Sequence, residues 1–169
     1  MAISEYVRRL REKVGTDLLM MPAVGGIVIN AAGEILLQRR SDNGLWGIPG
    51  GAIDPGEEPA DAIVREVWEE TGVRVIPERV VGVYGGPELL VRYPNGDEAM
   101  VISMTFLCRP VSGEPHPHDD ESLEVRYFSA NALPETLIAR HRRRIEDALR
   151  ATPAALFTFT LTPDKEITK

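Results

Sequence analysis

Ile3, Tyr6, Val7, Leu10 and Val14 recur at three- and four-residue spacing with Arg and Glu between them, which predicts an amphipathic helix ending at Gly15. The pattern then changes. Val24 to Ile29 is a continuous apolar, β-branched run, Asn30 to Gly33 is turn-like, and Glu34 to Gln38 resumes as a strand, so this stretch predicts a hairpin. A Gly- and Pro-rich loop follows, after which Pro59 opens a second helix that Gly72 stops. Val73 to Tyr84 reads as strand interrupted around Pro77. Glu88 to Arg92 and Ala99 to Cys108 flank Tyr93-Pro94-Asn95-Gly96-Asp97, where Asn-Gly signals a hairpin.

Ser112 to Ser122 is a polar loop, Leu123 to Phe128 a short strand, and Pro134 to Arg150 an amphipathic helix with Leu137, Ile138, His141, Ile145, Ala148 and Leu149 on one side. Beyond Thr152, Phe157, Phe159 and Leu161 alternate with threonines, the period of a half-buried strand; a frayed tail is the competing reading. The elements predict an α+β fold, a mixed β-sheet flanked by helices. The expected organisation is a single domain over residues 1–169: an N-terminal helix (1–15), a core (22–150) and a tail (152–169).

Composition narrows this picture. With 169 residues, 43% of them hydrophobic, the chain can bury a continuous core. The one cysteine, Cys108, forms no internal disulfide or thiolate pair for zinc, and at the end of an apolar strand it reads as an inert buried thiol. The N-terminus carries no apolar block of signal type and no 18 apolar residues run together, so a cytoplasmic protein without a membrane span is expected. A net charge of -7 argues against nucleic acid as a partner. Arg140, His141, Arg142, Arg143 and Arg144 lie in an amphipathic helix, and most of this cluster is expected to form a solvated face. His116 and His118 lack further ligands at metal spacing.

Candidate chemistry concentrates in the second helix. Glu66, Glu69 and Glu70 stand at i, i+3 and i+4, so their carboxylates emerge on one face within a turn, while Ala60, Ile63, Val64 and Val67 lie to the other side. Like charges held so close call for a cation, and carboxylates without Cys or His favour a hard one, magnesium or manganese. Arg65 precedes Glu69 by four residues and can pair with it. Gly47, Gly50 and Gly51 allow the preceding loop to approach phosphate or metal.

Read alone, three acids are more often a solvated face. Here Gly51, Glu57, Arg65, Glu66, Glu69, Glu70 and Gly72, with Val67 and Val73, match the signature of the Nudix (MutT-like) hydrolases at every specified position. A chance match at the fixed positions has a probability on the order of 10^-6 at average residue usage. Leu36 to Arg40 and Trp46 to Gly51 also resemble what that family carries, and the order of elements from Val24 to about Arg150 suits its α/β/α sandwich.

The resemblance implies a magnesium-dependent (or manganese-dependent) enzyme that cleaves a phosphoanhydride bond in a nucleoside diphosphate linked to another group. It implies Glu66, Glu70, Glu69 and the Gly50 carbonyl as metal ligands, Arg65 as the residue orienting them and Glu57 as a support for the loop. The general base is Glu66 or a late-loop acid, of which Glu121 is the first choice. Arg39 is a candidate for holding phosphate or a plain surface arginine, Gly51 contributes to the substrate site, and Trp46 either stacks on a base or packs under the loop. Tyr84 and Tyr93 share that ambiguity. Pro87, 15 residues past Gly72, favours ADP-ribose or a nucleoside diphosphate sugar over nucleoside triphosphates, dinucleoside polyphosphates or RNA ends. A nucleotide sensor without catalysis is the reading from another class. The N-terminal helix and the tail leave a homodimer open.

Overall fold

The computed structural model describes residues 5–93, 95–150 and 152–158. Ile3, Phe159 and Leu161 of the patterns above lie outside the described residues. Three helices, α1 (Glu5–Val14), α2 (Pro59–Thr71) and α3 (Ala139–Leu149), surround seven strands: β1 (Leu19–Val28), β2 (Glu34–Arg40), β3 (Trp46–Gly47), β4 (Arg74–Tyr84), β5 (Leu90–Arg92), β6 (Glu98–Ser112) and β7 (Ser122–Ser129).

The strands form two sheets where one was expected. The first has the order β1-β6-β4, with β5 also paired to β6; the second has the order β3-β2-β7. The predicted hairpin of β1 and β2 is therefore corrected. Its turn exists, with the Asn30 amide donating to Glu34 O at 3.0 Å, but only the Ile29–Ile35 bridge joins the two strands. β1 instead runs parallel to β6 from Leu19–Ala99 to Val28–Cys108, and β2 pairs antiparallel with β7. The Asn-Gly hairpin forms as expected, linking β5 to β6. Pro77 does not break β4. It sits at a register shift against β6, where a missing N–H costs no ladder bond.

Two apolar cores follow from the period of two. Val24, Val28 and Leu36 face α2, joining Ala62, Ile63 and Val67, whereas Ile27, Ile35 and Leu37 point the other way, onto Ile145 and Ala148 of α3. Strands covered on both faces read as the continuous apolar runs seen in the sequence. The result is an α/β/α sandwich whose two inner helices lie on opposite faces.

α3 is shorter than the helix predicted from Pro134. After a turn at residues 135–136, Leu137 bridges the edge of β3: the Trp46 amide donates to Thr136 O (3.1 Å) and the Ile138 amide to Trp46 O (2.9 Å). Of the basic cluster of α3, Arg140 and Arg143 are exposed and Arg142 half-buried, while Arg144 joins His141 in the interior. α1 buries none of its side chains and is tethered by Arg11, which donates to Glu98 O at 2.7 Å and pairs with Asp97. In the tail, Leu156 bridges Gly82 at the edge of β4, while Phe157 is exposed. No helix among the described residues is long and apolar enough to cross a membrane.

Ile145, fully buried, holds α3 on the second core. Ile145→Ala is expected to lower unfolding free energy by about 2–5 kcal/mol in urea titration; a loss below about 1 kcal/mol would show that α3 does not depend on this contact.

Candidate active site

The acidic helix is built from local signals. Pro59 fits its first turn, Gly72 closes it in a left-handed conformation (φ 68°) with its amide on Trp68 O, and the buried Ala62, Ile63 and Val67 fix which face meets the core. The carboxylates are thereby turned toward the loop after β3. That loop is strapped to β1 by the Val24 amide on Gly51 O (2.9 Å) and the Gly26 amide on Pro49 O (2.8 Å). Only glycine fits at Gly50, with φ 147° and a Cβ position that would lie 2.3 Å from Val24 O. A Cβ at Gly51 would fall 2.5 Å from Glu66 Oε2.

Arg65 organises the acids. Its Nε and Nη2 donate to the two oxygens of Glu57 (2.8 and 2.9 Å), its Nη1 to Glu66 (2.8 Å) and Glu69 (3.0 Å), and Nη2 also to Ala52 O (3.1 Å). The spacing had anticipated only the Glu69 pair. Glu57 is held below the usual carboxylate range, first by Arg65. Glu70 is buried at 2% exposure and accepts the Gly50 amide at 2.7 Å.

The late loop is pinned to the end of α2. The His116 amide donates to Thr71 O (3.0 Å), the His118 ring stacks on Trp68 with centroids 4.7 Å apart, and Arg74 covers the same indole at 4.1 Å. Glu121 O accepts the Ser41 amide, and the Glu121 carboxylate lies within electrostatic reach of both Glu66 and Glu70. Burial pushes Glu66 up to about 7 and Glu70 up to about 8, with the neighbouring acids adding to each. Beside Gly50 and Gly51 opens a cavity of about 570 Å³.

A NUDIX domain model matches residues 19–149, spanning the strands and helices that build this site. The chain belongs to the Nudix hydrolase family. Over 151 residues it is 37% identical to an ADP-ribose pyrophosphatase of Methanocaldococcus jannaschii, covering 87% of this chain and 85% of that protein. It is 33% identical over 127 residues to a MutT-like protein of Streptomyces ambofaciens, covering 75% of each. Among solved structures, a MutT Nudix hydrolase from Burkholderia pseudomallei superimposes with a TM-score of 0.64 at 26% identity, over 76% of this chain and 98% of that one.

Nudix hydrolases act on nucleotide substrates and generally use divalent metal ions. Among the described residues no group of three His, Cys, Asp or Glu side chains is already gathered around a common point. Glu66 and Glu69 lean on Arg65, and Glu70 on the Gly50 amide. The donors nonetheless fit a hard cation: they are all oxygen, the buried Glu70 and the partly buried Glu66 are raised by desolvation, and the Gly50 carbonyl accepts no hydrogen bond among the described residues.

The structure separates the remaining expectations for this Nudix chain. Arg39 does not reach the cavity; it stands opposite Glu124 on β7 and pairs with it at 3.4 Å. Arg40, one residue on, lines the cavity and lies within electrostatic reach of Glu70 and Glu121. Trp46 is buried at 5% with its ring edge-on to Phe128 (4.8 Å), so it packs and does not stack on a base. Tyr84 donates to Asp147 at 3.0 Å, whereas Tyr93 lines the cavity. Cys108 is buried, its thiol pushed up to about 12.

Two contributors escaped the sequence. Gln38, 1% exposed, accepts from Ser122 Oγ through its oxygen. Its amide nitrogen has no hydrogen-bond partner among the described residues, and the Gln38 amide favours ionised Glu70. His141 accepts the Ile48 amide on Nδ1 at 3.1 Å, which keeps the loop over α3 and requires a neutral ring. The alternation of Gln38 and Arg40 along β2 was a usable signal for the first; nothing local marked the second.

Arg65→Ala is expected to keep the fold by circular dichroism and to cost about 10- to 100-fold in metal affinity or turnover. Unchanged turnover would remove its organising role. Burial first, then Arg144, Arg140 and Arg40, hold His141 well below 6.5. The unfolded chain takes up this proton as pH falls through about 6.5 and the native chain does not, so stability is full above that pH and declines below it. Urea midpoints between pH 7 and 5 should fall more steeply for the native chain than for His141→Gln; equal slopes would exclude His141 as the source.

Proposed function

We propose that this chain hydrolyses the pyrophosphate link of ADP-ribose or a related nucleoside diphosphate sugar, with magnesium as the metal and manganese as a substitute. The carrying observation is that Glu70, held on the Gly50 amide and within electrostatic reach of Glu66 and Glu121, stands behind the glycine loop of a cavity of about 570 Å³ whose walls join apolar Val24, Ile48 and Leu89 to arginines. That volume suits a nucleoside or sugar. The Methanocaldococcus jannaschii relative supports the substrate class, and so does Pro87, which begins the short 3-10 turn that places Leu89 on the cavity wall.

Glu66, Glu70, Glu69 and the Gly50 carbonyl would hold the metal, which when bound supplies neutralisation of pyrophosphate oxygens and a more acidic water. Arg65 fixes the carboxylates in place. Arg40, in the role expected of Arg39, carries a substrate phosphate through its guanidinium. Glu121 takes the proton from the attacking water, Glu66 being the alternative base on the helix. Gly51 keeps the floor open for substrate because it adds no side chain beneath Glu66. We read residues 1–169 as one domain acting in the cytoplasm on small nucleotides and not on nucleic acid, consistent with the buried lone thiol of Cys108.

The test is product analysis with and without magnesium on ADP-ribose, UDP-glucose, dGTP and diadenosine tetraphosphate. ADP-ribose should give AMP and ribose 5-phosphate with the highest kcat/KM. Preferential release of dGMP from dGTP would move the assignment to nucleoside triphosphates, and binding without turnover would favour a sensor. Glu70→Gln should lower kcat on the order of 10^3-fold, the several kcal/mol a metal contributes to such a transition state.

A further inference from the structure

Five arginines line the cavity, and their partners differ. Arg11 is paired with Asp97 (3.4 Å), Arg40 with Asp42 (2.6 Å) and Arg92 with Glu98 (2.6 Å). The two carried by α3 have no carboxylate among the described residues. Arg144 is buried, donates to Ser103 Oγ at 3.1 Å and lies 4.8 Å from the centre of the Tyr84 ring. Arg140, exposed at the cavity margin, makes no ion pair or hydrogen bond through its side chain with any described residue. Both carboxylates that line the cavity, Asp42 and Asp97, are already engaged.

A buried guanidinium without counter-charge is costly, and a second one nearby makes it more so. Burial first, with Arg140 adding to it, brings Arg144 down to about 10. His141 lies between the two along the helix and is kept neutral, so it offers no compensation. Arg40 divides the cavity electrostatically. On one side it is coupled to Glu70 and Glu121, on the other to Arg140. A pyrophosphate held at the acids therefore engages Arg40, and the α3 pair lies beyond it.

We propose that Arg140 and Arg144 form an anion subsite, so that the moiety seated in the cavity carries a phosphate of its own in addition to the pyrophosphate that is cleaved. The proposal rests on the nucleotide-hydrolase reading above and, within it, favours nucleoside diphosphate sugars that carry a further phosphate over ADP-ribose itself. A phosphate monoester matches two guanidiniums in charge and in hydrogen-bond geometry. If Arg144 merely braces β6 through Ser103, no such preference exists.

Calorimetric titration of the intact protein with product-like pairs tests this without turnover: AMP against adenosine 2′,5′- and 3′,5′-bisphosphate, and ribose 5-phosphate against ribose 1,5-bisphosphate. At least one bisphosphate should bind about tenfold more tightly than its monophosphate, the weight of one charge-assisted hydrogen bond. Arg140→Gln should erase that preference while leaving monophosphate affinity within about twofold, and Arg144→Lys, which keeps the charge but not the planar fork, should weaken it. The proposal is overturned if every bisphosphate binds within about twofold of its monophosphate, or if Arg140→Gln keeps the preference. An intact preference in a protein that hydrolyses nothing would uphold the subsite and sink the hydrolase reading instead.

Discussion

One guanidinium holds the acidic site together. Arg65 bridges Glu57 ahead of α2, Glu66 and Glu69 on it, and the Ala52 carbonyl of the loop, joining three stretches of chain. A lysine has the charge but not the fork that serves several acceptors in one plane. The arrangement also explains how acidic side chains can cluster on one helix turn without a cation. Two of them share the arginine, and the third, Glu70, is held by a backbone amide and buried.

The site is electrically two-ended. Carboxylates gather where α2 meets the glycine loop and guanidiniums where α3 meets the cavity, and the loop at residues 48–51 separates them. The loop is fastened to both sides, by Glu70 on the Gly50 amide and by His141 on the Ile48 amide. A shift of either helix is thus transmitted to the same few peptide groups. A pyrophosphate ester, anionic along its length, needs such division: metal-binding oxygens for one part, donors for the rest.

Much of this was legible before any coordinates. Pro59, Gly72 and the apolar spacing of Ala62, Ile63 and Val67 delimit α2, and the positions of Glu66, Glu69 and Glu70 on it follow from helix geometry alone. What failed were inferences needing distant partners. β1 and β2 look like a hairpin because their run-turn-run pattern is local, yet each pairs with a strand far along the chain. Arg39 was named and Arg40 was not, since strand parity cannot be assigned without a reference face and the ladder shifts register between these two residues. His141 falls on the apolar side of its helix by spacing, but Arg144 looked solvated by residue type. Only the packing of α3 against β1 and β4 takes that arginine inside, and no local pattern encodes it.

The parallel ladder between β1 and β6 carries a kinetic consequence. Residues 19–28 cannot pair until residues 99–108 have been made and brought back, so this closure is paid for in chain entropy late in assembly. Val24 and Gly26, whose amides clamp the glycine loop, belong to that strand. A chain emerging from the ribosome can thus form α2, with its acids and Arg65, well before the loop that faces them is fastened. Competence therefore waits for β6, and for Glu121 and α3 beyond it, and does not come with the helix that carries the signature.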